Sequence, residues 1–252
     1  MTTPYTITRV GDAYLVSTEH VNWVLVEDGH DLTLIDGGYP GNAEDVERSV
    51  REIGHQMRDI RGILLTHAHI DHLGGAAKIA EAYAVDVLTG ETEVAHARRD
   101  YLQQLGPAKL PMMIWRHGAV GWLLDIMRLG GTDDVAIPGA LEYPAAEVDL
   151  PGAPVAVPTP GHTDGHTAYH LPGSGVLVSG DALITGHAVS RRHGPQLIVR
   201  PFSHDRTETR HSLDAIAEVQ ASTLFPGHGP AWTGDMAAAA AEAHAGEGFW
   251  RP

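Results

Sequence analysis

An apolar run at residues 60–65 stops at Thr66 and gives way at once to His67-Ala68-His69-Ile70-Asp71-His72. Three imidazoles and one carboxylate therefore fall within six residues, directly after what reads as a buried strand. In an extended loop, side chains two positions apart point the same way, so His67 and His69 can converge on one ion. Asp71 and His72 sit just beyond, where the chain turns into a helix expected to begin near Leu73. From there they can face a second ion.

Composition narrows the chemistry. The 252 residues include no cysteine, which excludes disulfides, iron–sulfur clusters, thiolate zinc sites and a cysteine nucleophile. The 17 histidines are left as the metal-capable excess. Imidazole and carboxylate without sulfur is a ligand set for zinc, with iron and manganese as alternatives. A net charge of −15 repels phosphate backbones and anionic lipid, so neither nucleic acid nor a membrane surface is expected as a partner. No run of about 18 apolar residues predicts a membrane span. The first ten residues lack a basic, then apolar, leader. The expectation is a cytoplasmic protein acting on a small molecule.

Short β-prone runs at 5–10, 14–17, 22–27 and 32–36 are separated by turn signals such as Gly11-Asp12 and Asp28-Gly29. A helical period follows at 42–53, where Val46, Val50 and Ile53 share one face. Residues 74–84 and 91–105 read as helices around a strand at 85–88. The β pattern returns at 155–157, 167–171 and 176–179, then a helix at 205–220, a strand at 223–225 and an Ala-rich helix at 235–245. A β-then-α order that occurs twice predicts an α+β chain folded as a four-layer αββα sandwich of two similar halves. A helical insert around 107–139 interrupts it, and one domain spans residues 1–252. The insert is crowded with Met112, Met113, Trp115, Trp122, Ile126 and Met127. It reads as a lid over an apolar acyl pocket, as a homodimer contact, or as core packing, since Met-rich surfaces are adaptable.

A chance His-x-His-x-Asp-His in a chain of this composition arises roughly once in two hundred, so the motif alone does not decide the matter. Three further segments do. Pro160-Gly161-His162 closes the 155–157 strand, Gly180-Asp181 closes the 176–179 strand, and Pro226-Gly227-His228-Gly229 closes the 223–225 strand. Each puts a metal-capable side chain in a Gly-flanked turn at a strand end, where sites gather.

This order of motifs resembles the metallo-β-lactamase fold hydrolase superfamily, and the match runs from Ala13 to Trp232. Residues 22–37, ending in Leu34-Ile35-Asp36-Gly37, look like its opening hairpin. The resemblance implies two divalent metal ions, zinc first. His67, His69 and His162 would bind one, and Asp71, His72 and His228 the other. Asp181 would bridge both beside a hydroxide that attacks an acyl carbon, and Asp71 would also orient that nucleophile or take its proton.

Within that resemblance, Asp181 argues against a dedicated β-lactamase, leaving β-lactam hydrolysis as a weak side activity. Only 24 residues follow His228, fewer than the glutathione-binding helical domain of glyoxalase II relatives requires. The stand-alone lactonase, esterase and thioesterase-like branch fits, acting on a substrate with an apolar acyl part. A mononuclear iron persulfide dioxygenase is the alternative, since it shares the Pro160–Gly165 type of segment. Candidate substrate contacts are Arg191, Arg192 and His193, in the loop after Asp181, together with Trp115 and Trp122. His166 is expected behind the ligands, hydrogen-bonded within its loop.

Overall fold

The computed structural model describes residues 3–105 and 118–246. Seven strands form one sheet in sequence order: β1 (Thr6–Val10), β2 (Ala13–Ser17), β3 (Asn22–Asp28), β4 (Asp31–Ile35), β5 (Ile60–Leu64), β6 (Val87–Thr89) and β7 (Leu141–Glu142). The first four are antiparallel neighbours, and β4 to β7 run parallel. The second sheet holds β8 (Val155–Pro158), β9 (Thr167–Leu171), β10 (Val176–Gly180), β11 (Thr223–Pro226) and β12 (Trp232–Thr233), in the order β12-β11-β10-β9-β8.

Alternation along the strands builds the layers. β3 sends Val24 and Val26 into a core shared with Tyr169, Val176, Val178 and Phe225 of the second sheet. Its other face carries Trp23 and Leu25, which pack with Val46 and Val50 of α1 (Ala43–Glu52) and with Leu73, Ala76 and Ile79 of α2 (Ile70–Tyr83). On the far side, Leu177 and Leu224 meet Leu213 and Ile216 of α5 (Arg206–Ala217) and Met236 and Ala239 of α6 (Met236–Ala245). The result is the αββα sandwich. Strands β2–β5 and helices α1 and α2 were legible because their apolar residues are buried in the first two of these cores.

Several boundaries differ from the sequence reading. α2 starts at Ile70, because extended His69 (φ −68°, ψ 153°) is its N-cap. Asp71 and His72 therefore lie in its first turn and not in the preceding loop. The helix expected over 91–105 is short: α3 spans Glu91–Ala97, and Arg99 turns left-handed (φ 65°) while its Nη1 donates to the Ala68 carbonyl at 2.8 Å. Of the insert around 107–139, the helical part among the described residues is α4 (Ala119–Arg128). Trp115 and its neighbours at 106–117 lie outside the described residues. The two-residue strands β7 and β12 carried too little pattern to be read. No helix among the described residues is long and apolar enough to cross a membrane.

One close approach fixes the site. A Cβ on Gly75 would lie 2.0 Å from the Gly37 carbonyl oxygen, and one on Gly74 would lie 2.3 Å from Pro40 Cδ. Only glycines let the start of α2 lie this flat on the turn after β4. That contact brings His72 to Asp36.

Candidate metal centre

The candidate ligands leave the ends of four strands at one edge of the sandwich. His67 and His69 follow β5, His162 follows β8, Asp181 follows β10 and His228 follows β11, while Asp71 and His72 open α2. His162 Nε2 stands 3.1 Å from His67 Nε2 and 2.9 Å from His69 Nδ1. Asp181 lies between this trio and a second group. Its Oδ2 is 3.4 Å from His162 Nε2 and 3.2 Å from His228 Nε2, and its Oδ1 is 3.5 Å from His72 Nε2. Asp71 Oδ2 is 3.5 Å from His228 Nε2. Three triads could each hold an ion: His67/His69/His162, His67/His72/Asp181 and Asp71/His72/His228. All of these residues are buried except Asp71, which is partly open to the cavity above.

The outward ring nitrogens fix the inward ones. The Thr66 hydroxyl donates to Asp36 Oδ2 at 2.7 Å, so its oxygen accepts the His67 Nδ1–H at 3.1 Å. His72 donates from Nδ1 to Asp36 Oδ2 at 2.8 Å, and His228 from Nδ1 to the His20 carbonyl at 2.5 Å. His69 donates from Nε2 to the Gln103 carbonyl at 2.9 Å. With those protons directed outward, lone pairs are left on His67 Nε2, His69 Nδ1, His72 Nε2 and His228 Nε2.

These lone pairs and the Asp181 carboxylate crowd one buried space. His72 Nε2, His228 Nε2 and Asp181 Oδ1 have no hydrogen-bond partner among the described residues. Buried acceptors left facing one another are costly unless a cation lies between them. The donor set thus fits a divalent metal. Burial, reinforced by neighbouring imidazoles, holds His67 and His162 well below the usual histidine range, and burial pushes His69 down to about 4. Neutral imidazole is the metal-binding form. Burial also opposes charge on His72 and His228, but carboxylates win there: Asp36, Asp181 and Asp71 around His72, and Asp181 and Asp71 around His228, raise them.

A cavity of about 90 Å³ opens over these groups, several times the 10–15 Å³ or so that one water needs. Its far wall is apolar: Ile70, Trp122, Ile126, Ile198 and Phe202, with Tyr39. Trp122 packs edge-on to Phe202 at 5.7 Å and lies 5.8 Å from His187, whose ring also touches His228. His187 thus joins the wall.

The structure does not bring every candidate here. Arg192 is anchored on α6, donating to the Glu242 carbonyl at 2.9 Å, and Arg191 is exposed. His193 lines an adjoining groove with Tyr5 and His20, which shares His187 and His228 with the cavity but lies outside the cavity's own lining. His166 is fully buried behind the ligands: its Nδ1 meets Thr159 Oγ1 at 2.8 Å, and its Nε2 accepts the Asp181 amide at 3.0 Å. Burial pushes it down to about 4. Glu93 and Gln103, which also hold the ligand loops, carried no signal in the sequence. Asp36 did, as the last polar residue of a strand before Gly37-Gly38.

Residues 16–228 match the sequence model of the metallo-beta-lactamase superfamily. The chain belongs to this superfamily. Among curated relatives, the probable metallo-hydrolase YflN of Bacillus subtilis is 28% identical over 228 residues, covering 83% of this chain and 80% of its own. A hydroxyacylglutathione hydrolase of Methylobacillus flagellatus is 31% identical over 162 residues, 64% of this chain and 46% of that protein. Solved folds agree. A metallo-beta-lactamase family protein of Thermus thermophilus superposes with a TM-score of 0.60 at 24% identity, over 92% of this chain and 77% of its own. The metallo-beta-lactamase SMB-1 gives 0.62 at 22%, over 88% and 78%. Family and site together indicate a divalent-metal hydrolase of the superfamily.

Proposed function

We propose that the protein is a dinuclear metallo-hydrolase that cleaves an ester, lactone or thioester with an apolar acyl part. His67, His69 and His162 would hold one ion and Asp71, His72 and His228 a second, with Asp181 lying between the two triads. The observation that carries this reading is the convergence of two triads on one shared carboxylate under an apolar-walled cavity. A donor set of imidazole nitrogen and carboxylate oxygen, without sulfur, favours zinc. Bound there, the metal pair supplies an acidified water as nucleophile and a Lewis acid for the substrate carbonyl. The chain supplies the rest. Trp122, Ile126 and Phe202 hold the acyl part against the site and exclude bulk water. The Asp71 carboxylate, partly open to the cavity, takes the nucleophile's proton and returns it to the leaving group. The hydroxyacylglutathione hydrolase relative supports the thioester option within this class.

The test is a panel of p-nitrophenyl esters, γ-lactones and acyl thioesters, offered to zinc-loaded protein and to His69→Ala. Turnover of at least one class by the parent, lost in His69→Ala, is expected. A folded, zinc-loaded parent that cleaves none of them would overturn the reading. An iron-loaded protein that consumes oxygen with a persulfide would replace it with the dioxygenase alternative.

A further inference from the structure

Glu93 is outside the proposed ligand set, yet its fully buried carboxylate touches both loops that carry the first-site ligands. Oε1 accepts the Ala68 amide at 2.7 Å, between His67 and His69. Oε2 accepts the Thr163 hydroxyl at 2.9 Å and the Gly165 amide at 3.1 Å, beside His162. A Cβ on Gly165 would lie 2.4 Å from the Glu93 amide nitrogen, so the glycine is what lets this loop reach the carboxylate.

A second line of bonds leaves Glu93 through His96, which is also fully buried. His96 Nδ1 lies 2.7 Å from Glu93 Oε1, and its Nε2 accepts the Gln103 amide at 3.2 Å. An accepting Nε2 requires the proton on Nδ1, which is where the Glu93 carboxylate holds it. The Gln103 carbonyl in turn accepts the His69 Nε2–H, leaving the His69 Nδ1 lone pair aimed at His162. Tyr101 stacks on the His96 ring at 5.3 Å with 13° between planes. The Gln103 side chain grips Asp164 twice, donating to Oδ2 at 2.6 Å and accepting its amide at 2.9 Å. The 101–105 segment therefore cannot shift without pulling the His162 loop.

We propose that Glu93 and His96 are positioning residues for the first metal ion, acting on His69 through the Gln103 peptide while Glu93 clamps the His162 loop. The inference rests on the ligand assignment above and adds a selectivity to it. His72 and His228 are held by Asp36 and by the His20 carbonyl, so this network serves the first ion and not the second. Partners behind metal-binding histidines fix the ring and raise its basicity, and losing them costs about 10- to 100-fold in metal affinity.

The experiment uses the full-length protein carrying His228→Ala, which breaks the Asp71/His72/His228 triad and leaves the His67/His69/His162 triad complete. Zinc affinity is read by competition with a chromophoric chelator, coordination by the absorption spectrum of the cobalt-substituted protein, and folding by circular dichroism. Adding His96→Phe, which keeps the ring volume and removes both hydrogen bonds, should weaken zinc about 10- to 100-fold and alter the cobalt spectrum. His96→Gln, which retains one donor and one acceptor, should restore most of both. Unchanged affinity and spectrum in folded His96→Phe would overturn the proposal. A His228→Ala parent that binds no zinc would remove the ligand assignment itself, and this inference with it. Should His96→Phe not fold, nitrogen-15 imidazole shifts of the unsubstituted zinc-loaded protein decide. A proton on His96 Nδ1 with an accepting Nε2 is expected, and a proton on Nε2 would overturn the proposal.

Discussion

Asp36→Asn exchanges one carboxylate oxygen for an amide group, at a residue 3% exposed. The backbone there is left-handed (φ 60°), which asparagine tolerates as well as aspartate, so the change is not one of backbone strain. The side chain accepts three bonds: the Thr66 amide at 2.8 Å on Oδ1, and the Thr66 hydroxyl at 2.7 Å and His72 Nδ1 at 2.8 Å on Oδ2. Asparagine can keep the first with its carbonyl. Its NH₂ then faces the other two. The Thr66 hydroxyl can turn away and accept, but His72 must move its proton to Nε2, where a lone pair faces Asp181 at 3.5 Å. Two charge-assisted bonds at about 1.5–3 kcal/mol each are lost, and neutral bonds replace part of them. The expected loss is about 2–4 kcal/mol of stability in the zinc-free protein, with the second zinc bound about 10- to 100-fold more weakly. Urea unfolding of the zinc-free protein and a chelator-competition titration measure the two. Stability within about 0.5 kcal/mol of the parent, with unchanged zinc affinity, would refute the assignment of Asp36 as the residue that aims His72.

Other consequences are equally direct. Gly75→Ala places a methyl 2.0 Å from the Gly37 carbonyl oxygen, so α2 must lift away; a loss of about 1–3 kcal/mol in urea unfolding is expected. Trp122→Ala opens the apolar wall. It should raise KM for long-chain p-nitrophenyl esters more than for the acetate, and an equal effect on both would argue against the acyl pocket. The pKa of His166 is pushed down to about 4 by burial, against about 6.5 in an unfolded chain. The unfolded chain therefore takes up the proton first as pH falls. Zinc-free stability should be lost between about pH 6.5 and 4, by up to about 3 kcal/mol at this group, and His166→Gln should flatten that slope in pH-dependent urea unfolding.

How far the sequence could be read follows from which signals are local. The sandwich was legible because Trp23 and Leu25 alternate with Val24 and Val26, and because the strand ends that carry His162, Asp181 and His228 are marked by glycine. The seven candidate ligands converge because every one sits at a strand or helix end, which a linear pattern records well. Glu93 was invisible for the opposite reason. A glutamate in the first turn of a helix looks like any surface acid, and only the tertiary approach of Ala68 and Gly165 reveals it as a clamp. Arg191 and Arg192 lie outside the cavity lining for a related reason. Their nearness in sequence to Asp181 does not bring them to the cavity, since Arg192 reaches out to Glu242. The early start of α2 was hidden because His69 and Asp71 carry no apolar period, while the extended His69 N-cap and the Gly74–Gly75 contact with residues 37–40 depend on the tertiary fold.

The proposed two-ion centre is tested most directly by counting metal. Protein stripped with chelator, equilibrated with zinc, desalted and assayed by inductively coupled plasma mass spectrometry should hold nearly two zinc ions per chain. His162→Ala and His228→Ala should each hold nearly one. A natively folded parent that retains none, or variants that retain as much as the parent, would contradict the account.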